Sequence, residues 1–313
     1  MSIFGNAKKN IKKKLNNAGI STETITRIST KVRVIRKFNR FAKRTLIRNG
    51  VRPEYFKAFS FNKKFSNFDE ELLINKYLET IPKENRTDFI VDIAASDGIY
   101  MSNTYNLYRM GNPGLAIEFD PISFLQLTSA YRRFPEVNLI KAKVTPDTIL
   151  PLLMSCSTPK NFSVLNLDID GYDYFILDTL LSSYRPALIC TEINEKIPAP
   201  LKFTVKYDPN HYWNGDYFFG QSISQLFELC KKYDYDLVEL HYNNAFLIPH
   251  EANKNKSLQA QEAYDQGYRL KKDRQEKFPH NERIDQILDM NPDDAKLFLE
   301  NAFKQYTGKF ELS

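Results

Sequence analysis

The chain has 313 residues, of which 42% are hydrophobic and 26% are charged. A chain of this length and composition can bury a sizeable core, so global disorder, collagen-like repeats and low-complexity classes are excluded. Its three cysteines are far apart without paired spacing, which argues against a disulfide framework and a cysteine-based zinc site, and its four histidines are also scattered. The net charge of +6 conceals an asymmetry: residues 1–64 hold 18 Lys and Arg against two acids, a net +16 that leaves −10 for the remainder.

Residues 1–68 form a basic N-terminal extension with an amphipathic centre. Residues 22–48 lack Gly and Pro, and apolar side chains recur there at three- and four-residue steps, with Lys and Arg on the other face. This pattern predicts a helix that packs on the body, contacts a second copy in a homo-oligomer, or lies on an anionic membrane surface. Salt-sensitive liposome binding distinguishes the membrane role. Nucleic acid is disfavoured as a partner because no recognition motif accompanies the charge.

Residues 69–250 alternate strand-like and helix-like segments. Nearly continuous apolar strands separated by helices are typical of a parallel sheet covered on both faces, which predicts an α/β fold. The predicted strands are residues 89–95, 115–119, 137–143, 163–169 and 187–193. The predicted helices include residues 121–133, 172–183 and 222–233.

The end of this α/β region differs from its beginning. Two apolar runs, residues 235–241 and 245–249, are joined by a short turn that contains Asn243 and Asn244. Such a pair predicts a hairpin that adds an antiparallel strand to the sheet. Residues 251–313 are polar and helix-prone, and they predict a helical C-terminal extension without chemistry of its own.

The first two predicted strands end in residues that suit a nucleoside-containing cofactor, since ligands of open parallel sheets bind beyond the carboxyl ends of the strands. Asp92 ends the first strand, and Glu118 ends the second, where an acid can accept hydrogen bonds from ribose hydroxyls. The turn after the first strand has small residues that let a ligand approach the backbone: Ala94, Ser96 and Gly98. A G-x-G-x-x-G sequence is absent, which counts against a dinucleotide site. An ordinary βαβ unit with a tight turn is the alternative.

Carboxylates converge at the ends of the fourth and fifth strands. Asp168 and Asp170 point the same way if the strand continues through them, and Glu192 then faces them from the neighbouring strand end. We call these three residues the carboxylate cluster. Such a gathering of charge predicts a functional site, which could hold a cofactor amino group, bind a divalent cation or act as a base. Glu192 and Asn194 are also predicted to contact substrate, whereas Asp173 is predicted to cap the next helix.

Residues 197–219 form a long aromatic segment, here called the connection. Loops of this length in α/β domains are commonly lids or binding platforms. Aromatic faces beside polar groups suit a sugar, and we predict substrate contacts from Tyr207 and Trp213. His211 is a candidate general base. The alternatives are a structural histidine and a hydrophobic cluster that pins the connection and accounts for about half of its aromatic residues.

These features together resemble the class I S-adenosylmethionine-dependent methyltransferases over about residues 89–249. The motif Asp/Glu-x-Gly-x-Gly-x-Gly of that family has its counterpart in residues 92–98, where only the last glycine is kept. More narrowly, five ordered stretches are similar to FkbM-type methyltransferases, which O-methylate sugars and natural-product hydroxyls. These stretches are LDIDGYDYFIL, ICTEIN, VKYDPNHYW, YFFGQSI and NNAFLIP.

The resemblance implies a Rossmann-like sheet and an S-adenosylmethionine-dependent O-methyltransferase. Asp92 and Gly98 would border the methionine end of the cofactor, and Glu118 would bind its ribose. Asp168 would lie beneath the methyl donor, and a substrate oxygen would attack the sulfonium methyl group. Catalytic help would come from the aspartates of the carboxylate cluster and from His211. The whole cluster would supply oxygen ligands if a divalent cation takes part.

The sequence leaves three functions open. The first is O-methylation of a sugar hydroxyl on a cell-surface glycan or glycolipid. The second is a binding or scaffold protein on a degenerate methyltransferase fold, and the third is a nucleic-acid methyltransferase anchored by the basic N-terminus. The lysine-rich start lacks the apolar stretch of a signal peptide, and no run approaches the ~18 apolar residues of a spanning helix. We therefore expect a cytoplasmic protein, soluble or peripheral at the inner membrane face.

Overall fold

The structure, a computed structural model, describes residues 64–313. The basic helix predicted over residues 22–48 lies outside the described residues and stays a prediction. Within residues 64–313 the α-helices are α1 (Glu70–Thr80), α2 (Tyr105–Arg109), α3 (Pro121–Tyr131), α4 (Pro146–Ser155), α5 (Asp173–Leu181), α6 (Ile223–Tyr233), α7 (Ala260–Tyr264), α8 (Arg274–Lys277) and α9 (Pro292–Ala302). The strands are β1 (Ile90–Ile93), β2 (Gly114–Glu118), β3 (Val137–Lys141), β4 (Val164–Leu167), β5 (Leu188–Glu192), β6 (Phe203–Val205), β7 (Tyr235–His241), β8 (Asn244–Pro249) and β9 (Phe310–Leu312). No helix in this part of the chain is long and apolar enough to cross a membrane.

Seven strands form one sheet in the order β3-β2-β1-β4-β5-β8-β7. The first five pair in parallel, whereas β8 runs antiparallel to both of its neighbours. β1 and β4 are buried throughout, as expected of strands covered on both faces. The predicted fold class, a mostly parallel Rossmann-like sheet with an antiparallel strand, is confirmed. Its strand order reverses between β1 and β4, and ligands of such sheets bind at that switch point.

Helices cover both faces of the sheet. Val91 and Ile93 belong to one hydrophobic cluster and Ile90 to another, because alternate side chains of a strand point to opposite faces. α4, α5 and α6 pack in the first cluster, whereas α1, α2 and α3 pack in the second. The sheet is therefore the middle layer of three, and Asp92 points toward the layer of α1, α2 and α3.

The last two strands of the sheet form the predicted hairpin, with Tyr242 and Asn243 in its turn. β7 is an edge strand, and the C-terminal extension covers it. The Leu258 N–H donates to the Leu237 carbonyl at 2.8 Å, and the Tyr242 N–H donates to the Gly267 carbonyl at 3.0 Å. These bonds satisfy edge groups that would otherwise be open to pairing with another chain.

A second sheet of two strands was not predicted. β6 lies inside the connection and pairs antiparallel with β9, which places Val205 opposite Phe310. Three-residue strands are too short to show a period-two pattern, so the sequence beyond residue 250 predicted helices alone. The C-terminal extension is helical in most of its elements, but its last strand reaches the connection that is predicted to bind substrate.

Candidate cofactor and substrate site

The turn after β1 has the backbone of a glycine-rich loop although it keeps only one glycine. Ala94, Ser96 and Gly98 have φ angles of 64°, 53° and 76°. These are the three positions at which the resembling family places glycine. A left-handed conformation costs a residue other than glycine roughly 1–2 kcal/mol. The turn therefore follows a glycine-type path at some energetic cost, at the carboxyl end of β1.

Gly98 packs against α3, where an added methyl group has no room. A Cβ placed on Gly98 would lie 2.5 Å from Leu127 Cδ1 and 2.6 Å from Tyr131 Cε1. We predict that Gly98→Ala lowers the free energy of unfolding by about 1–3 kcal/mol more than Gly308→Ala, the range for overpacking a core. Gly308 is the matched control because its φ is +84° and no described atom lies within 4 Å of its Cβ position. Equal losses in urea unfolding would contradict this prediction.

Glu118 ties the end of β2 to the same turn. Its Oε2 accepts a hydrogen bond from the Ser96 N–H at 2.7 Å, and its Oε1 accepts one from the Asp120 N–H at 2.6 Å. Burial raises the pKa of Glu118 above its usual range, and the two backbone donors oppose that rise because they stabilise the anion. Each carboxylate oxygen has a further lone pair, so Glu118 retains the capacity to accept hydrogen bonds from ribose hydroxyls.

Asp92 is held by polar groups inside the sheet. It is 2% exposed; its Oδ2 accepts from the Thr104 hydroxyl at 2.6 Å and its Oδ1 from the Asn166 amide at 2.8 Å. Asn166 lies beside Asp92 in the register of β1 and β4. Burial raises the pKa of Asp92 to about 6. Sequence analysis missed Thr104 and Asn166, which are uncharged and belong to no recognisable motif. Cofactor contact by Asp92 stays a prediction.

Asp168 and Asp170 lie in a turn, here called the acidic turn and defined as residues 168–171. The expectation that they extend a strand is wrong, because β4 ends before them and Asp170 has a φ of 54°. Asp173 closes the turn: its Oδ1 accepts from the Ile169 N–H at 2.9 Å and its Oδ2 from the Gly171 N–H at 3.0 Å. Burial raises the pKa of Asp173 to about 6. Asp173 therefore has a local structural role, but it holds the acidic turn and is the first residue of α5, not its cap.

The acidic turn and the end of β5 bring the carboxylate cluster together. Oxygen atoms of Asp168, Asp170 and Glu192 lie within 4.8 Å of one another. Glu192 Oε1 accepts from Asn243 Nδ2 at 2.7 Å, so the hairpin turn also supports the cluster. Burial, with the nearby charges of Asp168 and Asp170, raises the pKa of Glu192 well above its usual range. The geometry suits either a divalent cation with oxygen ligands or a proton retained among like charges.

The aromatic residues of the connection divide into a buried and an exposed group. Phe218 and Phe219 are buried, and Phe218 belongs to the main hydrophobic cluster and pins the connection to the body. Tyr212 and Trp213 are 58% and 39% exposed. The alternative that a hydrophobic cluster accounts for part of these residues is thus correct, and substrate contact by Trp213 stays a prediction.

Two other residues predicted to bind substrate make contacts between the connection and the rest of the protein. The Tyr207 ring meets Tyr172 edge to face, with centroids 5.0 Å apart. The Asn194 side chain is fully buried, and its amide donates to the carbonyls of Tyr217 at 2.9 Å and Phe219 at 3.0 Å. Asn194 therefore fixes the path of the connection, and direct contact of either residue with substrate stays a prediction.

His211 lies against the acidic turn. A Cβ placed on Gly171 would be 3.2 Å from His211 Cδ2, so the glycine allows the ring this close. His211 Nε2 is buried without a hydrogen-bond partner among the described residues. Burial lowers the pKa of His211 below its usual range, although the charge of Asp208 opposes that shift. The ring is therefore uncharged at neutral pH and able to take up a proton.

Tyr212 brings the connection to the far side of the site, near the end of β2. Its ring centroid is 6.2 Å from that of Phe119, and Lys143 Nζ lies 4.4 Å from the Tyr212 ring. Lys143 also donates to the Pro209 carbonyl. The connection thus spans the carboxyl edge of the sheet from the acidic turn at His211 to the end of β2. Phe119 and Lys143 belong to no recognisable motif, which is why sequence analysis missed them.

The strand order and the turn after β1 define a domain with the class I methyltransferase fold. No family model matches the sequence, and no curated protein matches it. Among solved structures, the chain is similar to a SAM-dependent methyltransferase from Aquifex aeolicus, with 10% identity, a TM-score of 0.37, and coverage of 64% of this chain and 99% of that chain. It is also similar to monomeric WbdD, with 13% identity, a TM-score of 0.41, and coverage of 66% of this chain and 47% of that chain.

A third similar structure is the N-terminal domain of EvdMO1 in the presence of SAH and D-fucose. Its identity is 12%, its TM-score is 0.39, and the match covers 58% of this chain and 82% of that chain. WbdD is a bifunctional kinase-methyltransferase, and the chain aligns with less than half of its length. The fold class of this chain therefore rests on its own sheet order, since likenesses at these TM-scores carry no argument about activity.

Proposed function

We propose that this chain is an S-adenosylmethionine-dependent O-methyltransferase that acts on a sugar hydroxyl of a cell-surface glycan or glycolipid. The observation that carries the proposal is the bond from Ser96 to Glu118, which joins the left-handed turn after β1 to the acid that ends β2. This pair lies beside the switch point of the sheet. A ligand there meets backbone groups of the turn and a carboxylate, which together suit a nucleoside and its ribose.

The remaining residues support transfer of a methyl group to a hydroxyl. S-adenosylmethionine supplies a sulfonium methyl group, and a hydroxyl oxygen of the acceptor attacks it while the carbon–sulfur bond breaks. Trp213 offers an aromatic face to a sugar ring, and Asp168 and Asp170 offer oxygens that accept hydrogen bonds from its hydroxyls. His211, which is uncharged at neutral pH, takes the hydroxyl proton. These contacts also orient the acceptor hydroxyl toward the methyl group, which lowers the barrier further.

Calorimetric titration with S-adenosylmethionine and S-adenosylhomocysteine tests the proposal. We expect both to bind, and we expect S-adenosylhomocysteine among small molecules that co-purify with the protein. Absence of binding at millimolar cofactor would leave a binding or scaffold protein on a methyltransferase fold. RNA or DNA binding that weakens steeply with salt would favour the nucleic-acid alternative.

Glu118→Ala is predicted to weaken S-adenosylmethionine binding by about 1.5–3 kcal/mol, or roughly 10- to 150-fold in Kd, because the ribose loses a charged acceptor. The same change removes the acceptor of the Ser96 N–H, so the melting temperature should also fall. Glu136→Ala, at an exposed glutamate before β3, is the control and should leave the Kd unchanged. A folded Glu118→Ala protein with the original Kd would remove Glu118 from the cofactor site.

We propose further that the carboxylate cluster binds a divalent cation such as Mg²⁺ or Mn²⁺. Three carboxylates with oxygens within 4.8 Å of one another match the oxygen ligands that these cations prefer. A bound cation would lower the pKa of an acceptor hydroxyl and offset the repulsion within the cluster. Protons compete for the same oxygens, since the pKa of Glu192 is raised. The affinity for the cation should therefore increase with pH.

Addition of Mn²⁺ or Mg²⁺ is predicted to raise the melting temperature of the protein. A cation at 100 times its Kd adds about 2.7 kcal/mol to the free energy of unfolding. Glu192→Gln should remove most of this rise, because the amide oxygen still accepts from Asn243 but no longer carries the charge that attracts the cation. Asp178→Asn, at a partly exposed carboxylate on α5, is the control and should keep the full response. If neither metal raises the melting temperature at alkaline pH, the cluster is a proton or substrate site and not a cation site.

A further inference from the structure

The end of the chain, residues 304–313, is bonded along its length to the connection, and we call this segment the strap. β9 of the strap pairs with β6 of the connection. The Lys202 N–H donates to the Ser313 carbonyl at 2.8 Å, and the Lys206 N–H donates to the Lys309 carbonyl at 2.8 Å. The strap therefore supplies the second strand of this small sheet, beside β6, in the part of the connection that precedes His211.

Tyr306 joins the strap to the part of the connection that follows His211. Its ring stacks on Phe218 with centroids 3.9 Å apart and planes 9° apart, and its hydroxyl donates to the Asp216 carboxylate. The two residues that Tyr306 contacts are themselves in contact with Trp213 and His211. The Asp216 carbonyl accepts from Trp213 Nε1 at 2.8 Å, and the Phe218 ring meets the His211 ring with centroids 6.0 Å apart.

His211 is consequently held from two sides, by Gly171 of the acidic turn and by Phe218 with Tyr306 behind it. A long connection without such support samples many conformations, whereas reacting groups need positions fixed to about 0.5 Å. A displacement of about 1 Å costs on the order of 100-fold in turnover. The strap, about 90 residues further along the chain, supplies this support to the connection.

We propose that the strap positions the substrate half of the site, with Tyr306 as its positioning residue. Tyr306 acts through Phe218 on His211 and through Asp216 on Trp213. The functional meaning of this arrangement rests on the proposed function. The physical coupling of the strap to His211 and Trp213 does not, and it can be measured without turnover.

The fluorescence of Trp213 measures this coupling directly, because Trp213 is the one tryptophan of the sequence. We expect Tyr306→Ala to shift its emission to longer wavelength and to increase its quenching by acrylamide, since Asp216 no longer fixes the indole. The ring resonances of His211 in NMR spectra should shift and broaden. Those of His250, which contacts Asp236 on β7, should stay in place.

Tyr233→Ala is the matched control. Tyr233 is also half-buried and donates its hydroxyl to a carboxylate, Asp178 Oδ1, at 2.8 Å. Its loss should lower the melting temperature without moving the Trp213 emission or the His211 resonances. The Kd for S-adenosylmethionine should be unchanged in both variants, because the turn after β1 and Glu118 are intact.

Two outcomes overturn the proposal. The first is a folded Tyr306→Ala protein whose Trp213 emission and His211 resonances equal those of the unaltered chain. If Tyr306→Ala does not fold, Tyr306→Phe decides: it keeps the ring stack, removes the hydroxyl from Asp216, and should shift the Trp213 emission. An unchanged emission in that variant is the second overturning outcome. Failure of the unaltered protein to bind S-adenosylmethionine would instead overturn the proposed function and leave these readouts intact.

Discussion

Asp173→Ala is expected to lower the free energy of unfolding by about 2–6 kcal/mol, since each of two N–H groups left without an acceptor costs about 1–3 kcal/mol. Those groups belong to Ile169 and Gly171, whose N–H groups donate to Asp173 at 2.9 and 3.0 Å. Asp173 itself is 1% exposed, so water cannot replace it readily. Its bonds also fix the turn that carries Asp168 and Asp170. The stabilisation by Mn²⁺ should therefore disappear together with the lost stability.

Urea unfolding and metal-dependent melting measure these two effects separately. Asp178→Ala on the same helix is the matched control. Asp178 pairs with Lys232 at 2.6 Å near the surface, and an exposed ion pair contributes about 1 kcal/mol or less. Asp173→Asn retains one acceptor and should fall between Asp173→Ala and the control. A loss for Asp173→Ala no larger than that of the control would show that Asp173 does not hold the acidic turn.

The sheet was predictable because its central strands, β1, β2 and β4, are nearly continuous apolar runs buried on both faces. Strand ends were less predictable, and the end of β4 shows why. Ile169 continues the apolar pattern, so the sequence extends the strand through Asp168. The Ile169 N–H instead donates to the side chain of Asp173, four residues further on, and the chain turns there. A side chain that competes for a backbone donor leaves no periodic trace in the sequence.

The carboxylate cluster was predictable because the carboxyl ends of neighbouring parallel strands meet at one edge of the sheet. The groups that support it were not. Asn243 supports the cluster by bonding Glu192 across 51 residues, and in the connection Tyr306 likewise bonds Asp216 across 90. Such contacts depend on the completed fold. The backbone of the turn after β1 was unpredictable for a different reason. Ala94 and Ser96 both adopt a left-handed conformation, although neither is the glycine that would indicate it in the sequence.

The buried carboxyl groups share one consequence for stability. Burial raises the pKa of Asp92 and of Asp173 from 3.8 to about 6. A group whose pKa is higher in the folded state binds more protons there. Its contribution to stability is therefore present below about pH 4 and is lost as the pH rises through 6. The pKa of Glu118 is raised in the same sense. Glu251, bonded to an arginine, has a lowered pKa and acts in the opposite sense, but it lies at the surface and contributes little.

Asp92 and Asp173 together are predicted to lower the free energy of unfolding by about 4 kcal/mol between pH 4 and pH 6. A pKa difference of about two corresponds to about 3 kcal/mol per group over the whole titration, and about two thirds of it falls in this interval. Asp92→Asn should remove about half of this dependence. The amide does not ionise, its oxygen still accepts from Asn166, and its nitrogen donates to the Thr104 hydroxyl. Urea unfolding at closely spaced pH values measures the slope, and Asp178→Asn is the control that should keep it. An Asp92→Asn profile parallel to that of the unaltered protein would mean that Asp92 is ionised throughout this range and that its bonds to Thr104 and Asn166 outweigh its burial.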